Sequence, residues 1–154
     1  MTDDELIATL EEQERRLVFA RFDNTDAWRL GSLLVQLAGQ RGLPVAVDIR
    51  RGAQQLFHAA LPGSTADNDA WIVRKVRVVE RFGASSFLVG RRLAVRGQEL
   101  DAAYGVDPAR YAAHGGAFPI RVRDVGVVGV VTVSGLPQAD DHALVVEAVS
   151  AHLG

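Results

Sequence analysis

The run Val127-Val128-Gly129-Val130-Val131-Thr132-Val133 constrains this chain more than any other feature. Branched side chains favour extended backbone, and successive side chains of a strand point to opposite faces. Here both sets of positions are apolar, so a strand built from them needs cover above and below. A sheet with one solvated face is excluded. The pattern predicts a central strand between helical layers, in a three-layer α+β domain.

The flanking segments supply those layers. Leu6, Ile7 and Leu10 recur at helical spacing among acids, which predicts a helix over 3–16. Leu17 to Phe22 reads as a short strand. Asn24 or Thr25 caps a helix carrying Ala27, Trp28, Leu30, Leu34, Leu37 and Ala38, stopped by Gly39 and Gly42. Pro44 to Ile49 and Gln54 to Leu61 form a hairpin around Arg50 to Ala53. The segment Pro62-Gly63-Ser64-Thr65 opens a helix that runs to Phe82 and ends at Gly83, with Asp67 and Asp69 favouring its positive end. Ser85 caps a shorter helix to Ala94. Residues 97–116 read as a long irregular loop with one turn at Pro108 to Ala112, and loops of that length inside a domain are functional or mobile. Phe118 to Arg123 and Val127 to Ser134 form a second hairpin. Pro137 takes the first position of a final helix through Val145, Val149 and Leu153. The sum is a five-stranded, mostly antiparallel sheet between helices.

Length and composition narrow the function classes. A chain of 154 residues with 48% apolar and 23% charged residues makes one globular domain, over 1–154. There is no cysteine, which removes disulfides, thiolate nucleophiles and sulfur-ligated metals. A net charge of −2 offers no basic field for nucleic acid. The acidic start leads into no apolar segment and no run is long enough to span a bilayer, so a cytoplasmic protein without membrane contact is expected.

The richest cluster of chemistry is His114-Gly115-Gly116-Ala117-Phe118-Pro119. Paired glycines let a backbone approach a ligand, and an imidazole ligates or moves protons; a plain turn before a strand reads equally well. His142 follows two aspartates at the start of the last helix, where it is either a site residue or helix-start chemistry. Among 17 basic residues only Lys75 is lysine. It lies on a helix with Arg74, Arg77 and Arg81, which share a face and read as solvated, while Lys75 points elsewhere. No two histidines have metal-binding spacing, so no metal site is expected. No phosphate loop, dinucleotide fingerprint or nucleophile elbow occurs.

Asp48, the Leu61-Pro62-Gly63-Ser64-Thr65 turn, the helix with Lys75, then Gly115-Gly116-Ala117-Phe118-Pro119-Ile120, Val131-Thr132-Val133-Ser134-Gly135 and Asp141 follow one another in order. This series resembles the haem-degrading domain proteins, the GlcG/HbpS-like family, over nearly the whole chain. The ending Val131 to Gln138 with Asp141-His142 is similar to one subgroup of it. The resemblance implies a profilin-like α/β/α sandwich and a homo-oligomer, and it places Lys75, Gly115, Gly116, Pro119, Ser134, Gly135 and Asp141 at family positions. Phe118 between the glycines and Pro119 departs from the pattern, as do His114 and His142 beside it.

The leading expectation is a small-molecule-binding domain for haem or a related tetrapyrrole. Its pocket is built from the 97–119 loop and two capped helix starts, with His114 as the axial donor and with His114, Gly115, Gly116, Pro119, Lys75, Ser134, Asp141 and His142 as the ligand-binding set. A structural or adaptor protein without chemistry is the second reading. An enzyme with Lys75 or His142 as acid–base is the third.

Overall fold

A computed structural model describes residues 1–154. Six helices and four strands follow in the order α1 (Asp3–Arg16), α2 (Asn24–Gln40), β1 (Ala46–Arg51), β2 (Gln54–Ala60), α3 (Ala66–Phe82), α4 (Ser86–Val95), α5 (Leu100–Tyr104), β3 (Ala117–Val122), β4 (Gly126–Ser134) and α6 (Gln138–Leu153). The sheet runs β2-β1-β4-β3 with every pair antiparallel. Thus β4, last in sequence, lies inside, and its Val131 sits opposite Ile49 on one side and Phe118 on the other.

Alternation along β4 sorts the core into layers. Val131 and Val133 join Val47, Ile49, Phe118 and Ile120 against Leu30 and Leu34 of α2 and Val145 and Val149 of α6. Val130 joins Ala46 and Ala117 on the opposite face, against Ile72, Val76 and Val79 of α3. Helices therefore cover both faces, as the valine run requires. Its first residues are less enclosed, and Val127 at the hairpin end is exposed. A third cluster, including Leu10, Val78, Phe87 and Leu88, ties α1 to α3 and α4.

The fifth strand expected over Leu17 to Phe22 does not form. Only Phe19 pairs: its N–H donates to the Arg121 carbonyl at 2.8 Å and its own carbonyl accepts from Arg123 at 2.9 Å. The Leu17 N–H is still committed to closing α1 on Gln13, and Asp23 already opens α2, so too little chain remains between the helices for a strand. Asp23, rather than Asn24 or Thr25, is the cap, exchanging bonds with Asp26 at 3.0 and 2.9 Å. Pro137 precedes α6 as its cap residue instead of starting it. The long loop holds a short helix, α5, ended by Gly105. Phe87 is buried in the α1–α3–α4 cluster, Phe82 and Tyr111 pack against it, and Tyr104 is exposed.

Candidate functional site

One end of the sheet opens into a cleft of about 250 Å³ where the end of β4, the starts of α3 and α6, and His114 converge. Its construction begins at Gly135. This residue turns the chain out of β4 with φ +147, and a Cβ there would lie 2.4 Å from the Pro44 carbonyl oxygen, so only glycine fits. Asp141, in the first turn of α6, reaches back to that turn. Its Oδ1 accepts the Leu136 N–H at 3.0 Å and its Oδ2 the Gly135 N–H at 3.4 Å.

Lys75 enters from α3. Its Nζ donates to Asp141 Oδ2 and to the Val133 carbonyl, each at 3.2 Å. An ammonium has three N–H groups, so one has no protein partner, and Lys75 forms part of the cleft wall. Room for Nζ comes from Gly116, whose φ is +136 and whose Cβ, if present, would lie 2.8 Å from Nζ and 2.3 Å from the Val133 oxygen. Burial pushes the Lys75 pKa below its ordinary value against the pull of Asp141. Burial likewise raises Asp141, opposed by Lys75 and the two backbone donors. Burial favours the neutral form of both partners.

His114 stands at the mouth, its ring 5.2 Å from that of Trp71, over which the Arg74 guanidinium lies at 4.4 Å. Partial burial, then Lys75, Arg74 and Arg91, lower its pKa, which makes it a neutral imidazole at pH 7. Its other side borders a second hollow of about 320 Å³ beneath residues 98–113, lined among others by Arg74, Arg91, Leu93 and Tyr111. The arginines of α3 are not simply solvated. Arg74 donates to the Pro108 carbonyl at 2.7 Å and Arg77 to that of Arg110 at 3.1 Å, fixing the loop that roofs this hollow. The Nε atoms of Arg74 and Arg91 are buried without partners.

The residues singled out in the sequence divide accordingly. Lys75, His114, Ser134 and Asp141 line the cleft. Gly115 and Gly116 back it, Gly115 donating its N–H to Gln138 Oε1 at 3.0 Å. Pro119 lies buried within β3 opposite Val130, away from the cleft. His142 is not part of the site. One residue beyond Asp141 on a helix is about a hundred degrees round it, and that turn buries the ring 5.1 Å from Phe87 and 6.1 Å from Phe118. There its Nε2 meets Gln13 Oε1 at 2.7 Å, its Nδ1 has no partner, and burial pushes its pKa down to about 4. Sequence reasoning missed Asp67, Asn68, Trp71, Leu136 and Gln138 as residues of the cleft wall. The signal was present for Trp71, which precedes Lys75 by four residues and so shares its helix face.

Comparison with known proteins agrees with this architecture. The family model for haem degrading protein HbpS-like matches residues 22–150. A UPF0303 protein of Streptomyces coelicolor is 64% identical over 148 residues, covering 96% of this chain and 94% of its own length. Another, from Edwardsiella ictaluri, is 49% identical over 154 residues and covers 100% and 98%. Among solved structures, the Ybr137w protein superposes with a TM-score of 0.87 at 34% identity, over 94% of this chain and 86% of its own. HbpS itself gives 0.68 at 19% identity over 87% and 91%. PduOC, solved as a complex with haem, gives 0.70 at 17% over 84% and 94%. The last two likenesses establish the fold alone. The chain belongs to the haem degrading, HbpS-like family.

Proposed function

We propose that this HbpS-like protein binds a planar, anionic ligand, haem or a related tetrapyrrole, where His114 joins the cleft to the hollow beneath residues 98–113. One observation carries the reading. A neutral imidazole stands beside two guanidinium groups, those of Arg74 and Arg91, that line the same hollow. Guanidinium groups lining a hollow meet a ligand carboxylate by charge-assisted bonds.

The residues present fit such a group. His114 supplies a nitrogen lone pair, Arg74 and Arg91 meet carboxylates, and Leu93, Leu100, Val106 and Tyr111 give the hollow apolar wall. Haem, when bound, would supply an iron, and the His114 imidazole would be the residue that holds it. The protein's own part is to hold that imidazole neutral, with Trp71 beside it and the loop pinned by Arg74 and Arg77. Lys75, Asp141, Ser134, Gly115 and Gly116 form the rigid back of the site. The complex of PduOC with haem, on the same fold, supports this reading. No helix is long and apolar enough to cross a membrane, consistent with a cytoplasmic place for such a binder.

Hemin titration followed by the absorption band tests the proposal. Wild type should saturate with a band characteristic of histidine ligation, and His114→Ala should lose it while keeping its circular dichroism. Overlaid, non-saturating titrations of the two proteins would reject haem as the ligand.

We also infer a homo-oligomer. Trp28 is 66% exposed, stacked edge-on at 5.7 Å against Phe57 of the sheet's edge strand β2. An open edge beside an exposed aromatic side chain favours contact with another copy. Light scattering at micromolar concentration should report a mass above 16.6 kDa; a monomer refutes the assembly.

A further inference from the structure

Haem binding leaves the chain's single lysine without a chemical task. Lys75 is nearly fully buried, yet it forms part of the wall of a cleft large enough for a small molecule. Its Nζ has one carboxylate neighbour, Asp141 Oδ2, and one carbonyl neighbour, Val133, at equal distances of 3.2 Å. A purely structural staple for a carboxylate does not call for lysine, because arginine binds carboxylates in a fork and stays charged when buried. All 16 other basic residues of this chain are arginine. What lysine offers instead is an amine that a neighbouring base converts into a nucleophile.

We propose that Lys75 forms an imine with a small, uncharged aldehyde admitted to this cleft. Asp141 is the proton carrier. Its carboxylate first takes a proton from the ammonium, leaving the amine lone pair free. That pair forms the N–C bond to the carbonyl carbon, and the displaced carbonyl electrons take up a proton from nitrogen to give a carbinolamine. Asp141 then returns its proton to the hydroxyl, which leaves as water while the nitrogen lone pair forms the C=N bond. The products are a cationic imine, one water and the carboxylate again, with nothing oxidised or reduced. The cationic product rests beside the carboxylate. Asp67 in the cleft wall adds a second negative charge, which favours an uncharged substrate over an anionic one. Burial, which lowers the lysine pKa, makes the first transfer easier.

Because the chain has one lysine, the first arm of the test needs no variant. Folded protein is treated with acetaldehyde and cyanoborohydride at neutral pH, and N-ethyl groups are located by peptide mapping. The only competing primary amine is the chain's own α-amine. Lys75 should be alkylated faster than that α-amine in the folded protein, and the order should reverse in urea, where an ordinary lysine is almost wholly protonated. Alkylation of the α-amine first in both states would overturn the proposal. Asp141→Asn, where it folds, should slow alkylation of Lys75 by about a hundredfold; an unchanged rate removes Asp141 as the proton carrier. Glyoxylate, an anionic aldehyde, should modify Lys75 more slowly relative to the α-amine than acetaldehyde does, and the opposite order would refute the preference for an uncharged carbonyl.

Discussion

The two faces of the sheet are packed by different physical means. Towards α2 and α6 the contacts are mainly apolar, from Leu30 and Leu34 to Val145 and Val149. Towards α3 the apolar patch is small, and it borders polar groups that each need a partner. Asp48, fully buried, is held by Arg50 at 2.9 Å and Gln55 at 2.6 Å, and beyond it the Lys75–Asp141 pair closes the back of the cleft. Apolar burial is non-directional and tolerant of shape, whereas a buried polar group is favourable only with its partners in place. The first face can supply stability without chemistry. The second can present chemistry, and its cost is offset by the first.

That contrast is most simply broken at Val131, at the centre of the apolar face. Val131→Asp places an unpaired carboxylate against Phe118, Leu144 and their neighbours. The expected cost of several kcal/mol rivals the whole stability of such a domain. The variant should be insoluble or unfolded by circular dichroism; a soluble variant with an unchanged thermal midpoint would show that this face is not sealed.

On the polar face the expected loss is smaller and of another kind. Lys75→Met leaves the Asp141 carboxylate buried with only backbone donors, which costs about 3–5 kcal/mol when one member of a buried pair is removed. Lys75→Met with Asp141→Asn removes the orphaned charge and should recover part of that loss in urea unfolding. If the double variant is no better than the single one, the cost lies in packing and the two faces are held by similar means.

His142 sharpens the comparison from inside the core. Its folded pKa of about 4 lies below the ordinary histidine value of 6.5 because burial disfavours the cation. An unfolded chain therefore binds a proton that the folded one refuses as pH falls from about 6.5 to 4. Folding stability drops across that window by about 1.4 kcal/mol per pH unit, roughly 3 kcal/mol in all, and is unaffected by this group above it. His142→Phe, whose ring suits a place between Phe87 and Phe118, should flatten that slope in thermal melts. A slope as steep as wild type would assign the acid sensitivity to other groups.

Much of this was legible in the sequence because it rests on local signals. Gly83 and the Ser85 cap mark element ends, and the valine run dictates cover on both faces. The cleft lies where the starts of α3 and α6 meet His114 near the end of the long loop, three segments the sequence marks by local signals. What failed depended on competition between neighbours. Leu17 to Phe22 has strand character, but two flanking helices claim its ends. His142 and Asp141 are adjacent in sequence, and helical geometry alone sends one into the core and the other to the cleft. The unpaired Nε atoms of Arg74 and Arg91 have no sequence signature, since they arise where a loop packs over a helix face.

The smallest effect on stability is expected at His114, and that smallness is informative. The residue is exposed, forms no hydrogen bond to the protein and packs beside the Trp71 ring, so His114→Ala should shift the unfolding free energy by less than about 0.5 kcal/mol. A ligand that binds only the folded state raises stability by RT ln(1 + [L]/Kd), or about 2.7 kcal/mol at a hundredfold excess over Kd. Saturating hemin should therefore raise the thermal midpoint of wild type and leave that of His114→Ala close to its ligand-free value. The two melts must coincide without ligand and separate with it. Curves that already differ without hemin would mean that His114 serves the fold; curves that move together with hemin would place the ligand elsewhere. Either result would transfer function from the open corner of the polar face to some other part of the molecule.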